Sequence, residues 1–403
     1  MKILQLNCVY RQGSTGKIVA SISDVLRSQG HEVFTCYGVG NDHADDYSSK
    51  VCGNGEHYIN AVFGRISGIP FGGVHYSNIR VKHSIQDFRP DIVHVHCVNA
   101  SSFNVYRMLK YLAKIKMKTI LTLHAEIFHT AGCSHSYDCE KWKNGCHNCE
   151  VYKQRVGSYF FDRSETSYRK MYDAVNSFDK DKLIVTAVSP WLAERAKQSA
   201  IMKAYNLVYV PNGVDTSVFH YTEGSNRIRR DNYDRVVLFV TPYFGLEQND
   251  IKGGRFLPQI AKLIPNYKFV VVSNTTSKNL SKLPANIELV GRAKSQIELA
   301  QLYSESDLTI LLSKRETFSM VTAESLCCGT PVVGFTAGGP ESIAIDAFSN
   351  FVEYGNIKLL ADALINWNSS SYYKQAISEI SGREYSQENM ANKFLNIYSS
   401  NGY

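Results

Sequence analysis

The chain has 403 residues, 44% of them hydrophobic and 20% charged, with a formal net charge of +7. This is the composition of a globular protein; it excludes a disordered or fibrous chain, and the length exceeds the ~100 to 200 residues of a single domain, so two domains are expected. No apolar run approaches the ~18 to 20 residues that span a bilayer, the start Met1 to Leu6 turns polar too soon for a signal peptide, and ten cysteines without an export signal imply reduced thiols or a metal site in a cytoplasmic protein.

The first expected element is a strand, Ile3 to Cys8, followed by Gly13-Ser14-Thr15-Gly16-Lys17 and a helix from about Gly16 to Gln29. Small residues between a strand and a helix let backbone amides approach an anion, so a phosphate fits there; a tight turn without a ligand is the alternative. It is not a nucleoside-triphosphate loop, because Arg11 holds the early glycine position and Ile18 the hydroxyl position, and its spacing is not the dinucleotide Gly-x-Gly-x-x-Gly. Strands His31 to Tyr37 and Ile92 to His96 follow. Phe103 to Lys118 then alternates Arg107, Lys110, Lys114, Lys116 and Lys118 with Val105, Met108, Leu109, Leu112 and Ile115, and residues 101–118 contain no acid. Such an amphipathic helix is either a solvated helix packed on the core or, with the apolar glycine-rich stretch Gly64 to Val74, a contact for anionic lipid head groups.

Strand Thr119 to Leu123 ends at His124, and Cys133, Cys139, Cys146 and Cys149 follow within seventeen residues. The two-residue spacing of the second pair suits tetrahedral zinc, and His129, His135 and His147 offer substitute ligands. A structural zinc is expected, with free thiols or a disulfide as the alternatives. Strands Leu183 to Ala187 and Leu207 to Val210 lead to the turn Pro211-Asn212-Gly213-Val214-Asp215 and a polar linker, Tyr221 to Asp234. A second alternating set comprises Val236 to Val240, Lys268 to Val272, Ile287 to Val290, Leu308 to Leu312 and Pro331 to Phe335. The chain closes with a helix whose Met390, Phe394, Leu395 and Tyr398 share one face.

This pattern predicts an α/β protein of two Rossmann-like domains with parallel sheets, binding its ligand at the carboxyl ends of the strands in a cleft between them. The expected divisions are 1–220 with a cysteine-rich insertion at 129–150, 221–385, and a terminal helix, 386–403, docking on the first domain. Within the second domain, a strand ends in a polar loop carrying Glu316, a helix runs from about Ser319 to Cys328, and Gly329 stops it. Amides around Phe318, Ser319, Met320 and Val321 can bind a diphosphate, while Glu316 and Glu324 can accept hydrogen bonds from sugar or ribose hydroxyls. Spacing alone fits a solvated pair of glutamates equally well.

Residues 316 to 335 resemble the Glu-x7-Glu motif of the family 4 glycosyltransferases, with its following glycine and proline. The glycine turn at 13 to 16, Val93-His94-Val95-His96, Leu121-Thr122-Leu123-His124 and Pro211 to Asp215 extend that resemblance over most of the chain. It implies the GT-B fold, a donor-side Glu316 contacting the transferred sugar, Glu324 on the nucleotide ribose, Lys252 on the diphosphate and His124 near the sugar, with Thr15 and Gly16 at the donor. Two departures stand out. No basic residue occurs in Phe244 to Asp250, where the family often has an arginine, and Ser319 occupies a common glycine position. The family's usual aspartate after the histidine is replaced by Ala125-Glu126, so Glu126 is given no catalytic role. The cysteine cluster is similar to a branch associated with bacterial exopolysaccharide, including colanic-acid-type transferases.

The resemblance implies a retaining hexosyltransferase that needs no cofactor for its chemistry. It would move a sugar from a nucleotide-sugar donor to a saccharide acceptor, lipid-linked, as in exopolysaccharide or O-antigen synthesis, at the inner face of the cytoplasmic membrane. The alternatives are a nucleotide-sugar epimerase or hydrolase on the same fold, and a zinc-containing nucleic-acid-binding protein. The last is disfavoured because no interleaved aromatic and basic module is present, so no nucleic-acid partner is expected.

Overall fold

Runs of aliphatic and β-branched residues become parallel strands in both halves of the chain. The computed structural model describes residues 1–42, 45–98, 101–275, 283–368 and 373–400. One unit comprises Met1–Pro211 together with Met390–Tyr403, and the other Asn212–Asn389. In the first, β1 (Lys2–Asn7), β2 (Glu32–Tyr37), β3 (Ser48–Lys50), β4 (Ile92–Val95), β5 (Thr119–Leu123), β6 (Leu183–Ala187) and β7 (Leu207–Tyr209) form one sheet in the order β3-β2-β1-β4-β5-β6-β7. Every pairing in it is parallel. The central strands β4 and β5 are buried at every position, which is why they read as continuous apolar runs.

The second unit repeats the plan with β8 (Arg235–Phe244), β9 (Tyr267–Thr275), β10 (Ile287–Gly291), β11 (Leu308–Leu311), β12 (Val332–Phe335) and β13 (Ser349–Val352), ordered β10-β9-β8-β11-β12-β13. Its core packs Leu257 and Ile260 of one helix and Leu360 and Leu364 of another against Phe269, Val271, Ile310 and Val333. Each such side chain contributes roughly 1.5–3 kcal/mol when fully buried. Both sheets are doubly wound, so each has one place where the chain reverses its direction across the sheet: between β1 and β4, and between β8 and β11. At that switch point the loops leaving the two strands diverge and open a crevice.

The terminal helix Gln387–Ser399 buries Met390, Phe394, Ile397 and Tyr398, while Leu395 is only half-buried. Its Phe394 ring lies 4.7 Å from the ring of His94, and Tyr398 Oη is 2.6 Å from His94 Nδ1. The other ring nitrogen of His94 is 2.7 Å from the Thr122 hydroxyl, itself 2.7 Å from that of Thr186. A polar chain thus runs from the helix across β4, β5 and β6. The expected basic stretch divides: the helix is Val105–Lys114, Lys118 Nζ donates to the carbonyls of Tyr398 and Ser400, and Lys116 faces Asp179. Only Arg107, Lys110 and Lys114 remain on the exposed side of that helix.

Candidate functional site

At the switch point of the second sheet, the loop after β8 carries Lys252 and the loop after β11 carries Glu316. Lys252 Nζ donates to Glu316 Oε1 at 2.5 Å, and the two side chains are 30% and 20% exposed. Asp250 sets the lysine's place through an Asx turn: its Oδ1 accepts the Lys252 amide at 2.8 Å and its Oδ2 the Gly254 amide at 3.0 Å. The Lys314 amide donates to the Ile251 carbonyl at 2.8 Å, tying the two loops together. Gly253, at φ +74, lies so close to β11 that a Cβ would stand 2.1 Å from the Leu312 carbonyl oxygen. Only glycine serves there.

Glu316 is fixed by its backbone, whose amide donates to the Ala337 carbonyl and whose carbonyl accepts the Gly339 amide. Glu341 in turn accepts the amides of Ala337 and Gly338, holding the loop after β12 against it. Beyond Glu316 the helix Met320–Cys327 begins at Ser319, whose hydroxyl accepts the Thr322 amide at 3.2 Å. The first-turn amides of Met320 and Val321 precede the first intrahelical bond, so they point outward at the positive end of the helix. Phe318 is buried. Ser319 sits at φ 84 and ψ 90, a conformation that favours glycine. Half-buried Glu324 accepts the Tyr303 hydroxyl at 3.3 Å. Burial, and then the Glu324 charge, hold the Tyr303 phenol well above its ordinary pKa, so it stays a donor.

In the first unit the turn after β1 leads into the helix Gly13–Ser28, three residues earlier than the sequence pattern suggests. A Cβ on Gly16 would lie 3.1 Å from Val9 Cγ2 and 3.3 Å from the Tyr10 amide nitrogen, so the strand-to-helix crossing is tight. Thr15 faces the Cys8 thiol: a hydrogen bond from Cys97 and one from Thr15 outweigh burial and lower the pKa of that thiol. Arg11 pairs with Asp24 and Asp45. At the end of β5, His124 Nε2 is 3.2 Å from His96 Nδ1, and burial pushes the His124 pKa down to about 4. His124 is therefore a neutral imidazole at pH 7, able to hydrogen-bond but not to supply charge. His94 and His96, with ring centroids 3.7 Å apart, are fully buried and neutral for the same reason.

Glu126 is buried, with its Oε2 accepting Arg195 Nε at 3.0 Å and the Ser136 hydroxyl. Burial raises its pKa, but His129, Ser136 and Arg195 overcome that and bring it to about 2. It braces the loop that carries the cysteines. Cys133, Cys139, Cys146 and Cys149 line one small cavity of about 20 Å³ together with Trp142 and His147. All are free thiols, and burial, reinforced by the neighbouring thiols, pushes Cys133 and Cys146 up to about 12. The donor chemistry fits the structural zinc expected there; among the described residues no group of three His, Cys, Asp or Glu side chains stands closely enough to hold a metal ion as the loop is arranged here.

The sequence motifs did not reveal Asp250, Tyr303 or Glu341. Asp250 carries a local signal, an aspartate two residues before the amide it captures; Tyr303 and Glu341 reach their partners only through the fold.

Two family descriptions match this chain: Glycosyltransferase Family 4 over residues 15–218, and Glycosyl transferases group 1 over residues 255–382. The chain is 22% identical over 325 residues to an uncharacterized 41.2 kDa protein in the cps region of Klebsiella pneumoniae, covering 77% of this chain and 79% of that one. It is 27% identical over 238 residues to an uncharacterized glycosyltransferase of Methanocaldococcus jannaschii, 58% of each. Among solved structures it superposes on sucrose-phosphate synthase from Thermosynechococcus elongatus with a TM-score of 0.69 at 15% identity over 98% of each chain. Anabaena HepE in complex with UDP and glucose gives 0.65 at 14% identity over 99% of each. At such identities the likeness is one of fold.

Proposed function

The chain belongs to Glycosyltransferase Family 4, and from that premise we propose that it transfers a sugar from a nucleoside diphosphate donor to a saccharide acceptor, with retention at the anomeric carbon. The observation that carries this reading is the Lys252–Glu316 pair at the switch point of the second sheet. A partly exposed ion pair contributes roughly 0.2–1 kcal/mol, so a diphosphate can replace the carboxylate as the lysine's partner at little cost. Freed from Lys252, Glu316 accepts hydrogen bonds from the sugar's hydroxyls and positions it.

Lys252 and the amides of Met320 and Val321 then face the charge that develops on the departing diphosphate, and Glu324, oriented by Tyr303, takes the ribose hydroxyls. The leaving phosphate accepts the acceptor's proton on the face it vacates, which gives retention without a covalent enzyme intermediate. Neutral His124 offers a hydrogen bond to a sugar hydroxyl, and the turn at Thr15 and Gly16 admits the donor's phosphates. UDP and glucose held by the Anabaena structure support a uridine donor as the first to test; a surface polysaccharide as the product and a lipid-linked acceptor complete the proposal.

The cysteine loop, in this proposal, takes up a structural zinc by a small inward movement of Cys133, Cys139, Cys146 and Cys149, and performs no chemistry. Protein purified without chelator is expected to hold one zinc per chain, lost in C146S/C149S; metal-free wild type would end that part of the proposal.

The deciding experiment is a nucleotide-sugar panel, with and without membrane lipid extract, comparing wild type with Glu316→Ala and Lys252→Ala. Transfer by wild type and its loss in both variants is expected. Free sugar released at the same rate without any acceptor would instead identify a hydrolase.

A further inference from the structure

The helix Asn54–Ser67 turns an apolar stripe outward: Ile59, Phe63 and Ile66, at helical spacing, are 52%, 39% and 50% exposed. Exposed residues at this spacing mark a face built to meet something other than water. At its end the Tyr159 amide donates to the Arg65 carbonyl at 2.7 Å, which lays the segment Tyr159-Phe160-Phe161 beside the stripe. These three rings are 59%, 60% and 48% exposed and stand in a row, 6.2 Å and then 6.1 Å between centroids. Arginines close both ends, Arg65 5.9 Å from the Tyr159 ring and Arg163 5.2 Å from that of Phe161.

Ile59 and Phe63 of this stripe also line a cavity of about 510 Å³, together with Gly72, Gly73 and Val74. Arg107, Lys110 and Lys170 line it, and no carboxylate does. Arg107 lies 3.1 Å from both ring nitrogens of His75, while Lys110 and Lys170 are exposed. Aromatic rings flanked by arginines, and a pocket whose charged lining is all cationic, match the two layers of a lipid surface: an interfacial zone that takes amphipathic rings and a plane of phosphates that takes cations.

We propose that this face docks on an anionic phospholipid bilayer, with Phe160 and Phe161 entering the head-group zone and Lys110, Lys170 and Arg107 holding lipid phosphates. Exposure of the apolar row argues against a merely solvated basic helix, and the absence of any carboxylate among the pocket's charged lining residues selects an anionic surface. Among the described residues no helix is long and apolar enough to cross a membrane, so this contact is peripheral. The inference deepens the lipid-linked acceptor reading, because it would bring the first unit to the surface where such an acceptor lies.

The test is sedimentation of the full chain with phosphatidylglycerol or phosphatidylcholine vesicles, without donor or acceptor. Wild type is expected to prefer phosphatidylglycerol at least tenfold and to be released by high salt. F160S/F161S should weaken binding to phosphatidylglycerol at least tenfold, and K110E/K170E should abolish the preference; circular dichroism confirms that both variants fold. Wild type left in the supernatant with phosphatidylglycerol would overturn the proposal, as would variants that bind like wild type. So would self-association dispersed by F160S/F161S with no vesicle binding, since the row would then seat a second copy. Sugar transfer to a water-soluble acceptor, unchanged in F160S/F161S, keeps this question separate: vesicle binding without any transfer would leave this inference standing and remove the catalytic one.

Discussion

Two carboxylates stand in loops that leave parallel strands, each beside a cation, and they differ in access to water. Glu126 is sealed with Arg195, Ser136 and His129, whereas Glu316 and Lys252 keep part of their surfaces in solvent. A sealed pair has no route by which a ligand could replace one partner, so its work is to hold a loop. An open pair is strong enough to pre-orient two groups and weak enough to be exchanged. Chain position did not separate them; burial does.

The sharpest way to break this contrast is Arg195→Ala, which leaves Glu126 buried without the guanidinium that pairs with it at 3.0 Å. Removal of one partner of a buried pair costs roughly 3–5 kcal/mol, so denaturant unfolding should show a loss of that size. The pH dependence points the same way. A carboxyl lowered from 4.5 to about 2 on folding stabilises fully above about 4.5, loses that stabilisation as pH falls toward 2, and gives none below. The whole shift is worth about 3 kcal/mol; Arg195 supplies only part of it beside His129 and Ser136, so the acid limb of the stability curve should become shallower in the variant without disappearing. An unchanged curve would mean that Glu126 is not a brace.

Lys252→Ala and Glu316→Ala test the other side. Each should lower kcat/KM by about 10²–10³, yet shift unfolding by no more than about 1 kcal/mol, because the pair they break is partly exposed. A loss of stability comparable to that of Arg195→Ala would collapse the distinction. His124 adds a pH signature: already neutral through burial, with its pKa at about 4, it should contribute no titration to the rate between pH 5 and 8.

The sequence pattern recovered the inner strands of both sheets because double-sided burial makes them continuous apolar runs; β5 and β6 match their expected limits residue for residue. It missed β3 and β13, the outer strands beside β2 and β12: Ser48-Ser49-Lys50 is only partly buried, in Ser349-Asn350-Phe351-Val352 only Val352 is buried, and neither shows such a run. Glu316 was legible because a strand, a polar loop and a helix stop surround it within a few residues. Tyr303 was not, since it meets Glu324 across 21 residues from a different helix. Nor was the row at Tyr159 to Phe161, which acquires meaning only when the Arg65 carbonyl places it beside the stripe on the earlier helix. The end of the basic stretch was not legible for a related reason: the fold commits Lys118 to the terminal helix.

Tyr303→Phe refines the open site. It removes one hydrogen bond to a carboxylate while keeping the ring in the core, a loss of roughly 1 kcal/mol. If Glu324 binds the ribose in the ground state and the transition state alike, donor KM should rise about fivefold with kcat unchanged. A fall in kcat at constant KM would instead move Glu324 into the chemical step.

The smallest effect expected is that of Ser319→Gly, where three terms oppose one another. Relief of a positive φ at a non-glycine residue is worth roughly 1–3 kcal/mol. Against it, exchanging a serine cap for glycine costs a few tenths of a kcal/mol, and the added freedom of the unfolded chain costs about 0.4–1 kcal/mol. With the strain toward the lower end of its range, at about 1.5 kcal/mol, the net is a gain of about 0.5 kcal/mol, measurable as a small rise in denaturation midpoint at constant slope. Loss of the hydroxyl also opens space beside the first-turn amides, so kcat/KM should change by no more than about threefold. A clear loss of stability would show that the bonds from the Thr322 amide and hydroxyl to Ser319, at 3.2 and 3.0 Å, outweigh the strain. Serine would then be the residue this helix start requires, and the open site would owe part of its shape to a cap that glycine cannot provide.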